Sequence, residues 1–106
     1  MLTCVWQNKK NCIIAYVVCT PQWSEFVNQN SINGVRYDAY RTVSSCQDYC
    51  VSVQACVAVD FNFIDTSCWL HVDADDLLED NIYYQDRTNQ YQLDRTCATH
   101  TTTTTS

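Results

Sequence analysis

The clearest hydrophobic pattern lies in the middle of the chain, where apolar residues first recur at helical spacing and then alternate. Cys46, Cys50 and Val53 fall on one face of a helix, and polar side chains lie between them. Ser44 and Gln47 are three residues apart, which is the spacing of a capping box. The pattern predicts a short helix that begins near Ser44 and buries its two cysteines.

The hydrophobic period then changes to two, which predicts a strand from Ala55 to Phe63. On one face are Val57, Val59, Phe61 and Phe63, and on the other are Ala58, Asp60 and Asn62. After a turn at residues 65–67, residues 68–72 predict a second short strand, in which Cys68, Leu70 and Val72 share a face. The helix and these two strands form the predicted centre of the fold.

The flanking segments are predicted from shorter signals. Residues 12–19 form an apolar run that predicts a buried strand, and the polar residues 20–31 predict a loop or a helical turn after Pro21. Asn33-Gly34 is the strongest turn signal and precedes an alternating strand at 35–40. Two final strands are expected around the turn at residues 87–89, at Tyr83-Tyr84 and at Tyr91 to Leu93.

Cysteine usage indicates the compartment in which the protein folds. Eight cysteines in 106 residues is an even and unusually high number. Such a count is typical of a disulfide framework formed in an oxidising compartment. Cys4 and Cys12 flank a polar turn, which favours a small disulfide-closed hairpin at the N-terminus.

The charge and the hydropathy exclude several classes of partner. The net charge is −6, so phosphate and sulfate polymers are repelled and nucleic acid is not an expected ligand. No apolar run approaches the roughly 20 residues needed to cross a bilayer, so no membrane insertion is expected in this segment. These observations favour a secreted, extracellular protein.

Three motifs resemble the PAN/apple domain, a module of secreted and cell-surface proteins. They are Ser45 to Cys50, Ala55 to Phe61, and Cys68-Trp69-Leu70-His71, and the resemblance covers residues 19–97. It implies an α+β fold in which an antiparallel sheet of about five strands cradles one helix. The division expected along the chain is an N-terminal extension at 1–18, the PAN/apple-like domain at 19–97, and a Thr-rich tail or linker at 98–106.

The resemblance also implies a disulfide pattern. Bridges Cys46–Cys68 and Cys50–Cys56 would tie the helix to the sheet, and an apple-type bridge Cys19–Cys97 would join the ends of the domain. Cys4 and Cys12 depart from the family pattern. Their loop is short, so we pair them together, although either could replace Cys19 in the bond to Cys97.

No residue pattern favours catalysis or a cofactor. The cysteine spacings lack the C-x2-C knuckle of structural zinc, and paired cysteines leave no thiolate for a Cys/His nucleophile. His71 is expected to be a satisfied polar residue on a strand beside Trp69. The acidic run 73–80 lacks the glycine and spacing of a calcium loop, so a solvated loop or short helix is expected. We therefore predict no catalytic residue, metal or cofactor.

The C-terminal hydroxyl residues suggest O-glycosylation. A run of this composition cannot pack a core and is typical of a glycosylated stalk, although a plain flexible linker is the alternative. The candidate glycosylation sites are Thr99, Thr101, Thr102, Thr103, Thr104, Thr105 and Ser106.

The function expected from the sequence is that of a non-enzymatic extracellular binding module that recognises protein or carbohydrate, as in cell adhesion. The candidate binding residues are Trp6, Trp69, Tyr83 and Tyr84, because aromatic rings cover sugar faces and fill protein pockets. Core packing is the alternative for each of them. The alternative is a structural subunit of an O-glycosylated extracellular filament or matrix. Its self-assembly would use the strand at 12–19 or the Tyr-rich edge.

Overall fold

The computed structural model describes residues 3–7 and 11–105. The chain order begins β1 (Thr3–Trp6), β2 (Asn11–Phe26), β3 (Gln29–Ser31), β4 (Val35–Tyr37), α1 (Val43–Ser52), β5 (Ala58–Asn62) and β6 (Ser67–His71). Two 3-10 helices follow, Ala74–Leu77 and Glu79–Asn81, and then β7 (Ile82–Tyr84) and β8 (Thr88–Thr105).

The strands form two sheets. Six of them make an antiparallel sheet in the order β1-β2-β8-β5-β6-β4, and β3 pairs with β7 in a separate antiparallel ribbon. The predicted α+β class, with an antiparallel sheet and one helix, is confirmed. The main sheet has six strands, where about five were expected, because it also includes β1 from the N-terminal segment.

The chain divides into two compact units, residues 22–94 and residues 1–21 with 95–106. In the second of these, β1 pairs with β2 in a register that places Cys4 opposite Ile14 and Trp6 opposite Cys12. Its disulfides are Cys4–Cys12 and Cys19–Cys97, which match the pairs expected from the sequence. The division into an extension, a domain and a tail with limits at 18 and 97 stays a prediction.

Two segments expected to lack regular structure are strands. β2 continues through Pro21, although a loop or helical turn was predicted there. Within the described residues, β1 pairs with residues 12–15 of β2, and Pro21 lies beyond that ladder, where a strand edge tolerates proline. The threonines after Cys97 continue β8, which agrees with the preference of β-branched residues for extended backbone.

Unit 22–94 has one hydrophobic core between α1 and the sheet. Disulfides Cys46–Cys68 and Cys50–Cys56 join α1 to β6 and to the segment before β5. The buried core residues are Cys46, Cys50, Cys56, Val59, Phe61, Cys68, Leu70 and Tyr91. The helical face predicted from Cys46 and Cys50 is therefore confirmed.

The start of α1 differs from the sequence prediction. Thr42, not Ser44, is the N-cap, and its hydroxyl accepts a hydrogen bond from the Ser45 backbone N–H at 3.1 Å. The Ser45 hydroxyl accepts from the Thr42 backbone N–H at 3.2 Å, which completes a capping box. Thr42 and Ser45 have the same spacing as the predicted pair, and Ser44 already lies within the helix.

The second face of the main sheet is also buried in this unit. Ala58 and Asp60 of β5 are 0% and 2% exposed, although they lie opposite the face that packs on α1. Ser31 of β3 donates its backbone N–H to Asp60 at 3.1 Å, and Asp76 of the first 3-10 helix contacts His71. The sheet is therefore covered on both sides, and the second covering is polar.

Candidate ligand-binding cleft

A buried ionic triad lies on the second face of the sheet. His71, at the end of β6, is 0% exposed and lies between two carboxylates. Its Nε2 is 2.6 Å from Asp60 Oδ2, and its Nδ1 is 3.0 Å from Asp76 Oδ2. Asp60 comes from the neighbouring strand, where it is opposite Trp69 in the register, and Asp76 comes from the acidic segment. His71 is therefore a satisfied polar residue, as expected.

This geometry favours the doubly protonated imidazolium. Burial of the ring opposes the charge, but the hydrogen bonds and the attraction of Asp60 and Asp76 outweigh it and raise the pKa of His71 above 6.5. A neutral imidazole would turn one bare nitrogen lone pair toward a carboxylate. Protonated His71 donates from both ring nitrogens instead, and the triad carries a net charge of about −1.

Gln90 of β8 extends the triad into a network. Its Nε2 donates to Asp60 Oδ1 at 2.9 Å and to Ser31 Oγ at 2.7 Å. Its Oε1 accepts from Gln92 Nε2 at 2.9 Å. Gln90 is 0% exposed, so these bonds satisfy a fully buried amide and fix the wall in which Asp60 and Ser31 lie.

A polar cleft opens beside this network. Its volume is about 330 Å³, near the lower end of the usual range for small-molecule sites. Amide and hydroxyl side chains dominate its wall. The lining residues are Asn30, Ser31, Ile32, Asn33, Gly34, Asp60, Asn62, Trp69, Tyr83, Gln85 and Thr88.

Trp69 is held in place at the cleft by its polar edge and by one ring face. Its Nε1 donates to Ser67 Oγ at 2.9 Å, and that hydroxyl donates to Asp65 Oδ1 at 2.6 Å. The guanidinium carbon of Arg36 lies 5.7 Å from the centre of the Trp69 ring. The bonds from Ser67, together with the charge of Arg36, lower the pKa of Asp65 despite partial desolvation. The orientation of the indole is thus fixed by contacts within the protein.

Tyr83 is less constrained than Trp69. It is 46% exposed, and its hydroxyl accepts a hydrogen bond from Asn30 Nδ2 at 3.2 Å across the β3–β7 ribbon. Asn30 Oδ1 and Thr88 Oγ1 are shielded from solvent, and neither has a hydrogen-bond partner within the described residues. Thr88 as a whole is 2% exposed. Two unsatisfied polar atoms therefore belong to residues of the same cleft wall.

The four aromatic residues predicted to bind ligand are not brought together. Trp69 and Tyr83 line the cleft, whereas Tyr84 is 72% exposed and does not line it. Trp6 is 59% exposed and belongs to the other unit. Whether any of them binds a ligand stays a prediction.

The predicted glycosylation sites are accessible where the structure describes their side chains. Thr99, Thr101, Thr102 and Thr103 are exposed on β8. The side chains of Thr104 and Thr105, and the whole of Ser106, lie outside the described residues.

The polar residues of the cleft wall were missed by the sequence interpretation. The sequence pattern assigns Asp60 to the second strand face without a partner, and it gives no role to Asn30, Thr88 and Gln90. Its neighbours Val59 and Phe61 do not signal burial, because a half-buried strand also places apolar residues on either side of a solvated carboxylate. A carboxylate in a strand buried on both faces requires buried donors.

Neither a metal-binding cluster nor a membrane-spanning helix occurs in the described part of the chain. Within residues 3–7 and 11–105, no group of three or more His, Cys, Asp and Glu side chains is arranged to hold a metal ion. No helix in these ranges is long and apolar enough to cross a membrane. Neither a protein-family model nor a curated protein matches this sequence.

Proposed function

We propose that this chain is a non-enzymatic extracellular binding module of the PAN/apple type, which recognises a protein or carbohydrate ligand. The observation that carries the proposal is the cleft of about 330 Å³, where Trp69 and Tyr83 lie beside a hydrogen-bonded polar wall. Aromatic rings next to oriented polar groups are the usual composition of a recognition site. The ionic triad behind the wall holds that surface rigid.

The disulfide pattern supports the family assignment. Cys46–Cys68 and Cys50–Cys56 tie α1 to the sheet, and Cys19–Cys97 joins two distant parts of the chain. These are the three bridges that the PAN/apple resemblance implies. Four disulfides are typical of a protein that folds in an oxidising compartment, which supports secretion.

Ligand capture with matched variants tests the proposal. The wild-type protein is immobilised and exposed to a glycan array and to an extracellular extract of its source, and retained ligands are identified. Trp69→Ala removes an aromatic wall of the cleft, and we expect retention to fall about tenfold or more. Phe26→Ala is the control, because Phe26 is an exposed aromatic outside the cleft. Equal retention by W69A and the wild type would refute the proposed site.

A structural subunit of an O-glycosylated filament or matrix is a second candidate function. The observation that favours it is the exposed row of hydroxyls at Thr99 and residues 101–103, on a strand where a glycosyltransferase could reach them. Light scattering and intact-mass measurement on the natively isolated protein test this candidate. A strictly monomeric, unmodified chain would count against it.

A further inference from the structure

We propose that the cleft binds one pyranose residue of a neutral saccharide, with Thr88 and Asn30 as hydrogen-bonding anchors and Trp69 as the stacking face. This inference rests on the proposed binding function and names the ligand class of the same cleft. Two oxygens of the cleft residues, Thr88 Oγ1 and Asn30 Oδ1, are buried and have no hydrogen-bond partner within the described residues. A buried polar atom without a partner is costly, so its presence at a cleft wall points to a ligand that satisfies it.

The unsatisfied atoms select a ligand that carries hydroxyl groups. Asn30 Oδ1 is an acceptor and requires a donor, whereas the Thr88 hydroxyl can donate or accept. A sugar hydroxyl supplies either role, and adjacent hydroxyls on one ring can serve both residues. Amide side chains at Asn33, Asn62 and Gln85 offer further donors and acceptors along the wall.

The charges near the cleft favour a neutral sugar. Asp60 is the acidic residue of the lining, and it already accepts hydrogen bonds from His71, Ser31 and Gln90. Both of its oxygens are already engaged by these donors, so it offers little to a cationic amino sugar. An acidic sugar would bring a second carboxylate close to Asp60 and to a protein of net charge −6.

Trp69 supplies the apolar contact that a pyranose requires. The C–H face of a sugar ring packs on an indole, and Trp69 is already fixed by Ser67 and flanked by Arg36. A fixed ring loses little conformational entropy when the ligand binds. The volume of about 330 Å³ suits a single sugar residue with its substituents.

A small side-chain movement must accompany binding to the two unsatisfied oxygens. Asn30 Oδ1 and Thr88 Oγ1 are closed to solvent in the free protein, so a ligand reaches them only if a neighbouring side chain shifts. Tyr83 is the side chain suited to move, since it is 46% exposed and its hydroxyl is held by one bond of 3.2 Å to Asn30. The ligand then replaces that bond.

The test is an NMR titration of the folded protein with methyl glycosides of glucose, galactose and mannose and with N-acetylglucosamine. Glucosamine and glucuronic acid are the charged comparisons. We expect at least one neutral sugar to shift the amide signals of residues 30–34, 60–62 and 83–88. A response to the charged sugars alone, or to none of the sugars at their solubility limit, would overturn the saccharide assignment.

Thr88→Val distinguishes two roles of the Thr88 hydroxyl, which either binds the ligand or stabilises the fold. Valine has a similar shape but no hydroxyl, so it removes an unsatisfied buried group from the free protein. We expect T88V to raise the Tm slightly and to weaken the binding of the neutral sugar about tenfold. Thr96→Val, an exposed position of the same strand in the other unit, should change neither. Unchanged affinity or a lowered Tm in T88V would contradict the proposal.

The saccharide proposal and the proposed binding function fail in different ways. If a protein ligand from the source extract is retained by the wild type and lost in W69A, while no glycoside binds, the binding module stands and the saccharide assignment falls. If W69A retains every captured ligand as well as the wild type does, the cleft is not the recognition site and both fall.

Discussion

His71 Nε2 lies 2.6 Å from Asp60 Oδ2, and both side chains are buried on the sheet face opposite α1. This ion pair, with Asp76 on the other ring nitrogen, attaches the first 3-10 helix to the sheet, and Asp60 also holds the backbone of β3. Asp60 and Ser31 both line the cleft, so this contact fixes part of its wall. The protonation state of one histidine therefore matters for both the stability and the site.

Raising the pH should destabilise the protein through His71. The pKa of His71 is raised above 6.5 in the folded state, so the folded protein holds a proton that the unfolded chain has released. The stabilisation is complete below about pH 6.5 and is lost as the pH rises through the folded pKa. Within that window, the free energy of unfolding should fall by up to about 1.4 kcal/mol per pH unit. Urea unfolding at a series of pH values measures this slope.

His71→Gln provides the comparison, because glutamine keeps a polar side chain but does not titrate. The variant should be less stable than the wild type at pH 6, and its slope above pH 6.5 should be flatter. The groups that face His71 are Asp60 and Asp76, and both are retained in the variant. Identical slopes in the two proteins would show that His71 does not carry the effect.

Asp60→Asn should be the most damaging single change at the polar wall. It leaves His71 with one carboxylate. The new amide also places an N–H opposite another donor, either Gln90 Nε2 or the N–H groups of Ser31 and His71. We expect a loss of about 2–4 kcal/mol in the free energy of unfolding. Asp80→Asn is the matched control, since Asp80 is exposed, and it should lie within about 0.5 kcal/mol of the wild type. A D60N protein as stable as D80N would contradict the role given to the triad.

The start of α1 gives a second pair of matched variants. Thr42→Ala removes both the acceptor for the Ser45 N–H and part of the capping box, so a loss of about 1 kcal/mol is expected. Ser44→Ala removes the residue that the sequence pattern favoured as the cap, and it should cost less than about 0.5 kcal/mol. Thermal unfolding of both variants decides between the two caps, because a larger loss in S44A would restore the sequence-based assignment.

The sequence predicted the apolar side of this fold much better than its polar side. The core forms where α1 packs on the sheet. This packing accounts for the helical spacing of Cys46 and Cys50 and for the alternation around Val59. Apolar residues report burial directly, so these elements could be placed from the pattern alone. The expected bridge Cys46–Cys68 lies in that same core.

The triad could not be predicted because its members are joined only by the tertiary fold. An acidic residue on alternate strand positions, such as Asp60, is equally typical of a solvated sheet face. Its burial depends on β3, the first 3-10 helix and β8, which come from distant parts of the chain. The burial of Asp76 could not be predicted either, because the sequence of the acidic run does not distinguish one buried carboxylate from its exposed neighbours. Pattern arguments cannot tell which face will be covered.

Gly34→Ala tests how tightly side chains pack around Gly34, which lines the cleft. Asn33, with φ 71°, has the left-handed backbone of the predicted Asn33-Gly34 turn, whereas Gly34 does not. A Cβ at Gly34 would lie 3.2 Å from both Trp69 Cβ and His71 Cε1. Two opposing effects therefore compete. Alanine restricts the unfolded chain and stabilises by about 0.4–1 kcal/mol, whereas overpacking costs about 1–3 kcal/mol.

We expect overpacking to win in Gly34→Ala. Trp69 Cβ is attached directly to the backbone of β6, which pairs with β4 and β5 and cannot yield easily. The imidazole of His71 is fixed between two carboxylates and is no more able to move. A net loss of about 1 kcal/mol should appear in urea unfolding, together with a shift of the His71 ring signals in NMR. Ala39→Gly, at an exposed position, calibrates the chain-entropy effect alone. A stabilised G34A protein with unchanged His71 signals would show that a Cβ at Gly34 fits beside Trp69 and His71 without overpacking.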